Sequence, residues 1–278
     1  MTRASSGVLD ETGPERTPVM LSVAGSDPSG GAGIQADLKT ATALGVYSGA
    51  VITALTAQNT LGVQGIHPIP ATFVAAQLHS VLGDLDVVAV KIGMLGTAEV
   101  ADTVADVLRE HAVSRVVLDP VMVATSGDRL VPEDAVAAIR DRLLPLSTVV
   151  TPNVPEAALL AGVPVDALDD LETAGRRLVE AGATAALVKG GHLDGDDSVD
   201  VLVTADAVHR LSSPRLDTPH THGTGCTLSA AVASFLVRGE PVDRAVARAK
   251  DYLVAALASG SRRHVGAGRG PVDHLAGR

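Results

Sequence analysis

The run His222-Gly223-Thr224-Gly225-Cys226-Thr227 brackets the chain's only cysteine with glycines and leads directly into Leu228, Ala231, Val232, Phe235 and Leu236. Those apolar residues fall at i, i+3, i+4, i+7 and i+8, one face of an amphipathic helix. A glycine turn therefore opens a helix. Its first-turn N–H groups have no internal partner and, with the macrodipole, form an anion site of the kind that takes phosphate. Gly223 and Gly225 permit close backbone approach. A thiol at a helix start is biased towards thiolate, so Cys226 is a candidate general base or nucleophile. An ordinary helix start with a buried cysteine has the same residues, and a short glycine motif does not decide between the two.

Other residues add to the chemistry. Residues 25–33, Gly-Ser-Asp-Pro-Ser-Gly-Gly-Ala-Gly, hold more glycine than a tight turn needs and follow an apolar run. They match neither the Walker A loop nor the dinucleotide-binding spacing. Lys91 and Lys189 each end a strand-like apolar run, where a buried ammonium is costly unless paired. Lys91 is expected to snorkel out to water; Lys189, next to Gly190-Gly191, is expected to meet an anion. Asp119 precedes Pro120, and Glu156 stands in Thr151-Pro152-Asn153-Val154-Pro155-Glu156. A turn residue and a helix-start acid explain those two carboxylates on local grounds. With substrate phosphates and water they also meet the needs of Mg²⁺. An anion hole, a lysine, two acids and a glycine loop together suit phosphoryl transfer, which relies on positioning and charge neutralisation. The rival is a cysteine hydrolase pairing Cys226 with His222 or His192, which leaves both phosphate-type loops without a purpose.

The elements that must carry these residues alternate along the chain. Strand-like runs occupy 19–24, 46–52, 87–92, 115–118, 148–150 and 185–189, and a hairpin spans 199–203 and 207–211. Between them lie helical faces: Ile34, Leu38 and Ala41; Val74, Leu78, Val81 and Leu82; Val100, Val104, Val107 and Leu108; Val136, Ile139 and Leu143; Leu171, Ala174, Leu178 and Val179. Pro155 suits a helix's first turn. A last helix carries Val242, Ala245, Val246, Ala249 and Leu253, and residues 265–271 form a loop. This alternation predicts an α/β fold, a mostly parallel sheet with helices on both faces. Ligands of such sheets bind beyond the carboxyl ends of the strands, and Gly25, Gln58, Met94, Asp119, Asn153, Glu156 and Lys189 all fall there.

The bulk numbers agree. A chain of 278 residues that is 46% hydrophobic can bury one large core. With 1% aromatic residues and net charge −10, it lacks the stacking and basic surfaces of a nucleic-acid binder. A single cysteine excludes an intrachain disulfide, and the nine histidines show no zinc-site spacing. The reducing cytoplasm is the expected location. No apolar run reaches membrane-spanning length, and residues 1–17 contain no secretory apolar region. Residues 1–17 read as a polar, mobile tail, and 18–278 as one domain.

At this point the residues carry a family resemblance. AGSDPSGGAGIQADLKT (24–40), VITALTAQNT (51–60), KIGML (91–95), VVLDPVM (116–122), TPNVPEA (151–157), VKGGHL (188–193), HGTGCTLSAA (222–231) and GAGRGPVDH (266–274) resemble, in order, hydroxymethylpyrimidine/phosphomethylpyrimidine kinases of thiamine biosynthesis, in the ribokinase-like superfamily. The likeness spans residues 18–275. It implies a three-layer ribokinase-like fold and two successive ATP-dependent phosphorylations of 4-amino-5-hydroxymethyl-2-methylpyrimidine in one site, with Mg²⁺ and a homodimer. By the same resemblance, Gln58 bonds the pyrimidine while Ala32, Met94 and Val121 wall its ring. Gly223, Gly225 and Cys226 form the anion hole, with Cys226 near the attacking hydroxyl. Lys189, Asn153 and Thr224 meet ATP phosphates, and Asp119 and Glu156 serve the metal. Some members have Lys where this chain has Thr125, and neither Asp27 nor Asp37 receives a role. The alternatives are a pyridoxal/pyridoxine kinase of the same superfamily and a non-catalytic pyrimidine-binding homologue.

Overall fold

The structure is a computed structural model that describes residues 16–122, 132–191, 193 and 195–276. Thr125 with its loop 125–128, His192 and residues 1–15 of the expected tail lie outside the described residues. Among those described, nine strands form one sheet: β1 (Val19–Ser26), β2 (Tyr47–Asn59), β3 (Gly62–Pro68), β4 (Val87–Ile92), β5 (Val116–Leu118), β6 (Val149–Val150), β7 (Ala185–Lys189), β8 (Asp197–Thr204) and β9 (Val208–Pro214). Their spatial order is β3-β2-β1-β4-β5-β6-β7-β8-β9. The centre, from β2 through β7, is parallel, and β3, β8 and β9 are antiparallel additions at the two edges.

Side chains alternate across the sheet with period two. Leu21, Val23, Val90, Ile92 and Val188 face one helical layer, and Met20, Ala89, Val117, Ala185 and Leu187 the other. The first layer holds α2 (Ala71–Leu82), α3 (Ala98–Glu110), α4 (Glu133–Ala138), α5 (Val154–Ala161) and α6 (Leu168–Glu180). The second holds α1 (Gly33–Ala43), α7 (Thr224–Val237) and α8 (Val242–Gly260). Every residue of α7 from 227 to 237 is buried, so this helix runs through the interior and is covered on all sides.

The chain winds from β1 outward to β2 and β3, then crosses back to β4 on β1's other side. The carboxyl ends of β1 and β4 thus flank a topological switch point, where open α/β sheets bind ligands. They deliver the glycine loop and Met94 to one place.

One edge departs from the sequence expectation. The run expected to end at 52 continues as strand to Asn59 and pairs with β3, which the apolar pattern did not indicate. The segment from Gly62 to Pro68 contains two glycines and buries none of its side chains, so no alternation marks it. Backbone pairing to β2 holds it instead. A register shift between Ala57 and Gln58, the signature of a bulge, re-aims the side chain that follows.

Candidate active site

The helix start and the glycine loop meet backbone to backbone. Gly223 has φ +77°, and a Cβ there would lie 1.8 Å from the Gly31 carbonyl oxygen, so no other residue fits without parting the loops. The clasp between them is Asp27, which sequence reading left without a role. Its carboxylate accepts the N–H groups of Ser29 (2.9 Å), Gly31 (3.1 Å) and Ala32 (2.8 Å), and lies 2.8 Å from His222 Nε2. Burial raises its pKa, but His222 and the Ser29 and Ala32 donors outweigh that and bring it down to about 2. Thr224 turns both its hydroxyl and its N–H to the Thr221 carbonyl. The N–H groups of Gly225 and Cys226 are the first-turn donors that face the cleft without intrahelical partners.

Beside this start, β7 and β5 bring in the charges. Lys189 Nζ donates to Asp119 Oδ1 at 3.1 Å, and Thr151 Oγ1 approaches the same oxygen at 3.2 Å. Asp119 Oδ2 lies 3.2 Å from the Ser229 hydroxyl on α7. Burial raises the Asp119 pKa, but Lys189 and Lys91 more than reverse this and hold it ionised. Glu156 and Asn153 form a capping box at the start of α5. The Asn153 Oδ1 accepts from Glu156 N–H at 3.0 Å, and Glu156 Oε2 from Asn153 N–H at 2.8 Å. The local explanation of Glu156 is therefore present in the geometry, yet the side chain is 5% exposed and lines the cleft. Burial pushes its pKa to about 7; Asp119's charge adds to this, and Lys189 opposes it. Burial first, and then the charge of Asp119, favour a proton on Glu156 near neutrality. A hard divalent cation is what this donor set would accept in the proton's place.

Two sequence expectations are overturned here. Lys91 does not snorkel: its side chain is 0% exposed and donates to Asp37 at 2.9 Å. It projects from β4 towards the α1–α7 layer, where Asp37 on α1 is its ion-pair partner and Asp119 adds a more distant negative charge. Asp37 also accepts the Ser22 hydroxyl at 2.6 Å. Burial opposes the charge on Lys91, but Asp37 keeps it protonated. Nor is Cys226 a thiolate at neutral pH. Burial, helped by Asp37 and Asp119, pushes its pKa up to about 11 against the pull of Lys91. The helix-terminus argument counted the dipole and omitted the surrounding desolvation.

Lys91, Asp119, Glu156, Lys189 and Cys226 line one cleft of about 710 Å³. At one end lie Gln58, Ala32, Met94 and Val121. Met94 rests over Gly25, where a Cβ would meet its methyl at 2.5 Å. Thr56 donates to the Ser26 carbonyl at 2.8 Å and lies 3.1 Å from the Gln58 amide, tying this end to β1. The middle is the α7 start with Lys189, Asp119, Asn153 and Glu156. The far end is apolar, made by Pro214 at the end of β9, Leu216 just beyond it, and Leu253, Val254 and Leu257 of α8. Every residue expected from sequence to serve the site lines this cleft. The apolar far end was missed: Leu253 read as plain core, and only the β9–α8 juxtaposition makes a pocket of it. Gly190 proves to be a packing residue, since a Cβ there would sit 2.1 Å from the Val199 carbonyl oxygen. Its N–H donates to Asp200 at 3.0 Å, and Asp200 pairs with Lys250 at 2.7 Å.

The arrangement offers an amide-bearing flat pocket, an anion site with a fixed cation and a paired acid set, and an apolar slot, in that order. The phosphomethylpyrimidine kinase family matches residues 27–273. The chain is 53% identical to the hydroxymethylpyrimidine/phosphomethylpyrimidine kinase of Rhizobium meliloti over 261 residues, 93% of this chain and 97% of that protein. It is 49% identical to the protein of the same name from Escherichia coli, covering 92% and 96%. Among solved structures, it is similar to an ADP complex of Bacillus subtilis pyridoxal kinase (TM-score 0.86, 36% identity, 94% and 98% covered). A phosphomethylpyrimidine kinase from Clostridium difficile is also similar (TM-score 0.76, 37% identity, 86% and 98% covered).

Proposed function

This chain belongs to the phosphomethylpyrimidine kinase family, and we propose that it phosphorylates 4-amino-5-hydroxymethyl-2-methylpyrimidine twice, to the monophosphate and then the diphosphate, with ATP as donor. The observation that carries this is the order of subsites along one cleft: polar amide pocket, helix-start anion hole beside Lys189, apolar slot. The pyrimidine is held by Gln58, whose amide offers both a donor and an acceptor to a ring nitrogen beside an amino group, with Ala32, Met94 and Val121 around the ring. The apolar slot between α8 and the end of β9 takes the adenine.

The triphosphate then lies across the α7 start. In the first step the substrate hydroxyl oxygen forms a bond to the γ-phosphorus, the bond to the β–γ bridging oxygen breaks, and ADP leaves. In the second, a phosphate oxygen of the monophosphate attacks the γ-phosphorus of a second ATP in the same way. Charge spreads over the transferring group's oxygens. The free N–H groups of Gly225 and Cys226, presented by the Gly223 turn, and the Lys189 ammonium receive it. Thr224 and Asn153 shape this region through the backbone they hold. Asp119 and Glu156 are the residues that would hold Mg²⁺, directly or through water, and the ion would neutralise phosphate charge. Cys226, which lines the cleft at the α7 start, would take the hydroxyl's proton only as thiolate, after giving its own proton to solvent.

The continuous sheet supports treating 18–278 as one domain. Leu55, Leu61 and Ile66 stand exposed along the β2–β3 ribbon, which supports a homodimer formed through that edge. With ATP as the donor, we assign the reaction to the cytoplasm; no helix among the described residues is long and apolar enough to cross a membrane. The test is product mass from purified protein, Mg-ATP and the hydroxymethylpyrimidine, with pyridoxal in parallel. Mono- and diphosphate of the pyrimidine are expected. Pyridoxal phosphate alone would shift the assignment to the activity named for the solved relatives. Pyrimidine binding without ATP consumption would reduce the chain to a binding protein.

A further inference from the structure

At the rim of the sheet opposite the cleft, α2 and α3 end side by side. His79 is in the last turn of α2, and His111 caps α3 immediately after Glu110. The next residue, Ala112, has φ +51°, a left-handed turn that is uncommon for a residue with a side chain and that ends the helix at His111. His79 Nδ1 lies 3.0 Å from His111 Nε2, and a Glu110 carboxylate oxygen joins them in a group whose ligand atoms lie within 4.8 Å of one another. We propose that His79, His111 and Glu110 form a binding site for a divalent transition-metal ion such as Zn²⁺, pinning the end of α2 to the end of α3.

Three observations converge. First, two imidazole nitrogens bound to one tetrahedral ion at about 2.0–2.1 Å each stand roughly 3.3 Å apart. The observed pair, 3.0 Å apart, needs to open by only a few tenths of an ångström. Second, both helices present their carboxyl-terminal ends here, and the partial negative charge of helix ends favours a cation. Third, two nitrogens and a carboxylate are a donor set for zinc, nickel or copper and not for Mg²⁺, which requires oxygens. A water completes the fourth position, and both helix ends are open to solvent. The site is separate from the catalytic cleft: α2 and α3 lead into the amino ends of β4 and β5, whereas the cleft lies at the carboxyl ends. Its effect is therefore on the stability of the α2–α3 layer.

The test is calorimetric titration of the full-length protein with ZnCl₂ in a non-chelating buffer, alongside thermal melts with and without Zn²⁺. One equivalent is expected to bind, with affinity falling about tenfold or more in His79→Ala and in His111→Ala, and less in Glu110→Gln. Bound ion is expected to raise the wild-type melting temperature by mass action and to leave that of His79→Ala and of the milder His79→Gln unmoved. Zinc binding and stabilisation that persist within about twofold in both histidine variants would place the ion elsewhere and overturn the proposal. No zinc binding by wild type would leave a plain hydrogen-bonded histidine pair and overturn it equally.

Discussion

Cys226 illustrates how one residue's chemistry depends on its surroundings. Its position at a helix start argues for thiolate, but desolvation lifts the pKa to about 11. If it serves as base, turnover should climb with pH above neutrality as thiolate accumulates, and Cys226→Ala should lose most of kcat together with that climb, leaving substrate affinity little changed. Rate measurements from pH 7 to 10 on both proteins check this. A variant that keeps kcat would show that the loose transition state needs no base, leaving the amides and Lys189 to carry the reaction. Lys91 belongs to the same environment: buried against Asp37 and within electrostatic reach of Cys226, it is the fixed positive charge under the thiol.

At the scale of elements, the site is a junction of two loops. The 25–33 loop and the 222–225 turn are 195 residues apart at the Asp27–His222 contact, yet pack so closely that the backbone at Gly223 touches that at Gly31. Gly223→Ala combines a left-handed alanine, which costs about 1–2 kcal/mol, with a clash against a carbonyl oxygen. We expect a melting temperature lowered by several degrees and a far larger loss in kcat/KM, because the displaced helix start no longer aims its N–H groups. Wild-type kcat/KM in a folded Gly223→Ala protein would show that this turn does not form the anion hole. The β2–β3 ribbon makes the complementary point: it contributes Gln58 through a bulge, and the element that supports it has no sequence signal beyond its glycines.

For the whole molecule, buried charge sets the response to pH. Glu156 binds its proton more tightly folded than unfolded, with a pKa near 7 against an ordinary 4.5. Its contribution to stability is thus greatest at or below pH 4.5 and declines as pH rises to 7. His274 acts in the opposite sense. Burial, with the charges of Lys39 and His222, lowers it to about 4, so its contribution is full above pH 6.5 and is lost as pH falls towards 4. Glu156→Gln removes the first effect alone. Its stability relative to wild type should therefore rise steadily between pH 4.5 and 7.5 without Mg²⁺, by an amount on the order of a few kcal/mol, read as a growing difference in melting temperature. A flat difference across that range would mean that Glu156 is already ionised in the free protein. The same variant should phosphorylate poorly, separating its stability role from its catalytic one.

The strand–helix alternation, the central parallel strands and the glycine turn that opens α7 were all legible in the sequence. Each is written in local spacing: apolar residues at periods of two or 3.6, and glycines just ahead of a helical face. The rim location followed from a general property of parallel sheets, and the motif resemblance supplied the reaction. What the sequence left open are consequences of contact between distant segments. Asp37 lies 54 residues from Lys91, so the chain alone made the lysine look exposed. Asp27 finds His222, β3 is held by pairing alone, and the apolar slot exists only where α8 faces the end of β9. Protonation states belong to this second class as well. Burial depends on the whole packing around a group, and a desolvated thiol or carboxyl departs from its ordinary pKa in a way that no local pattern encodes.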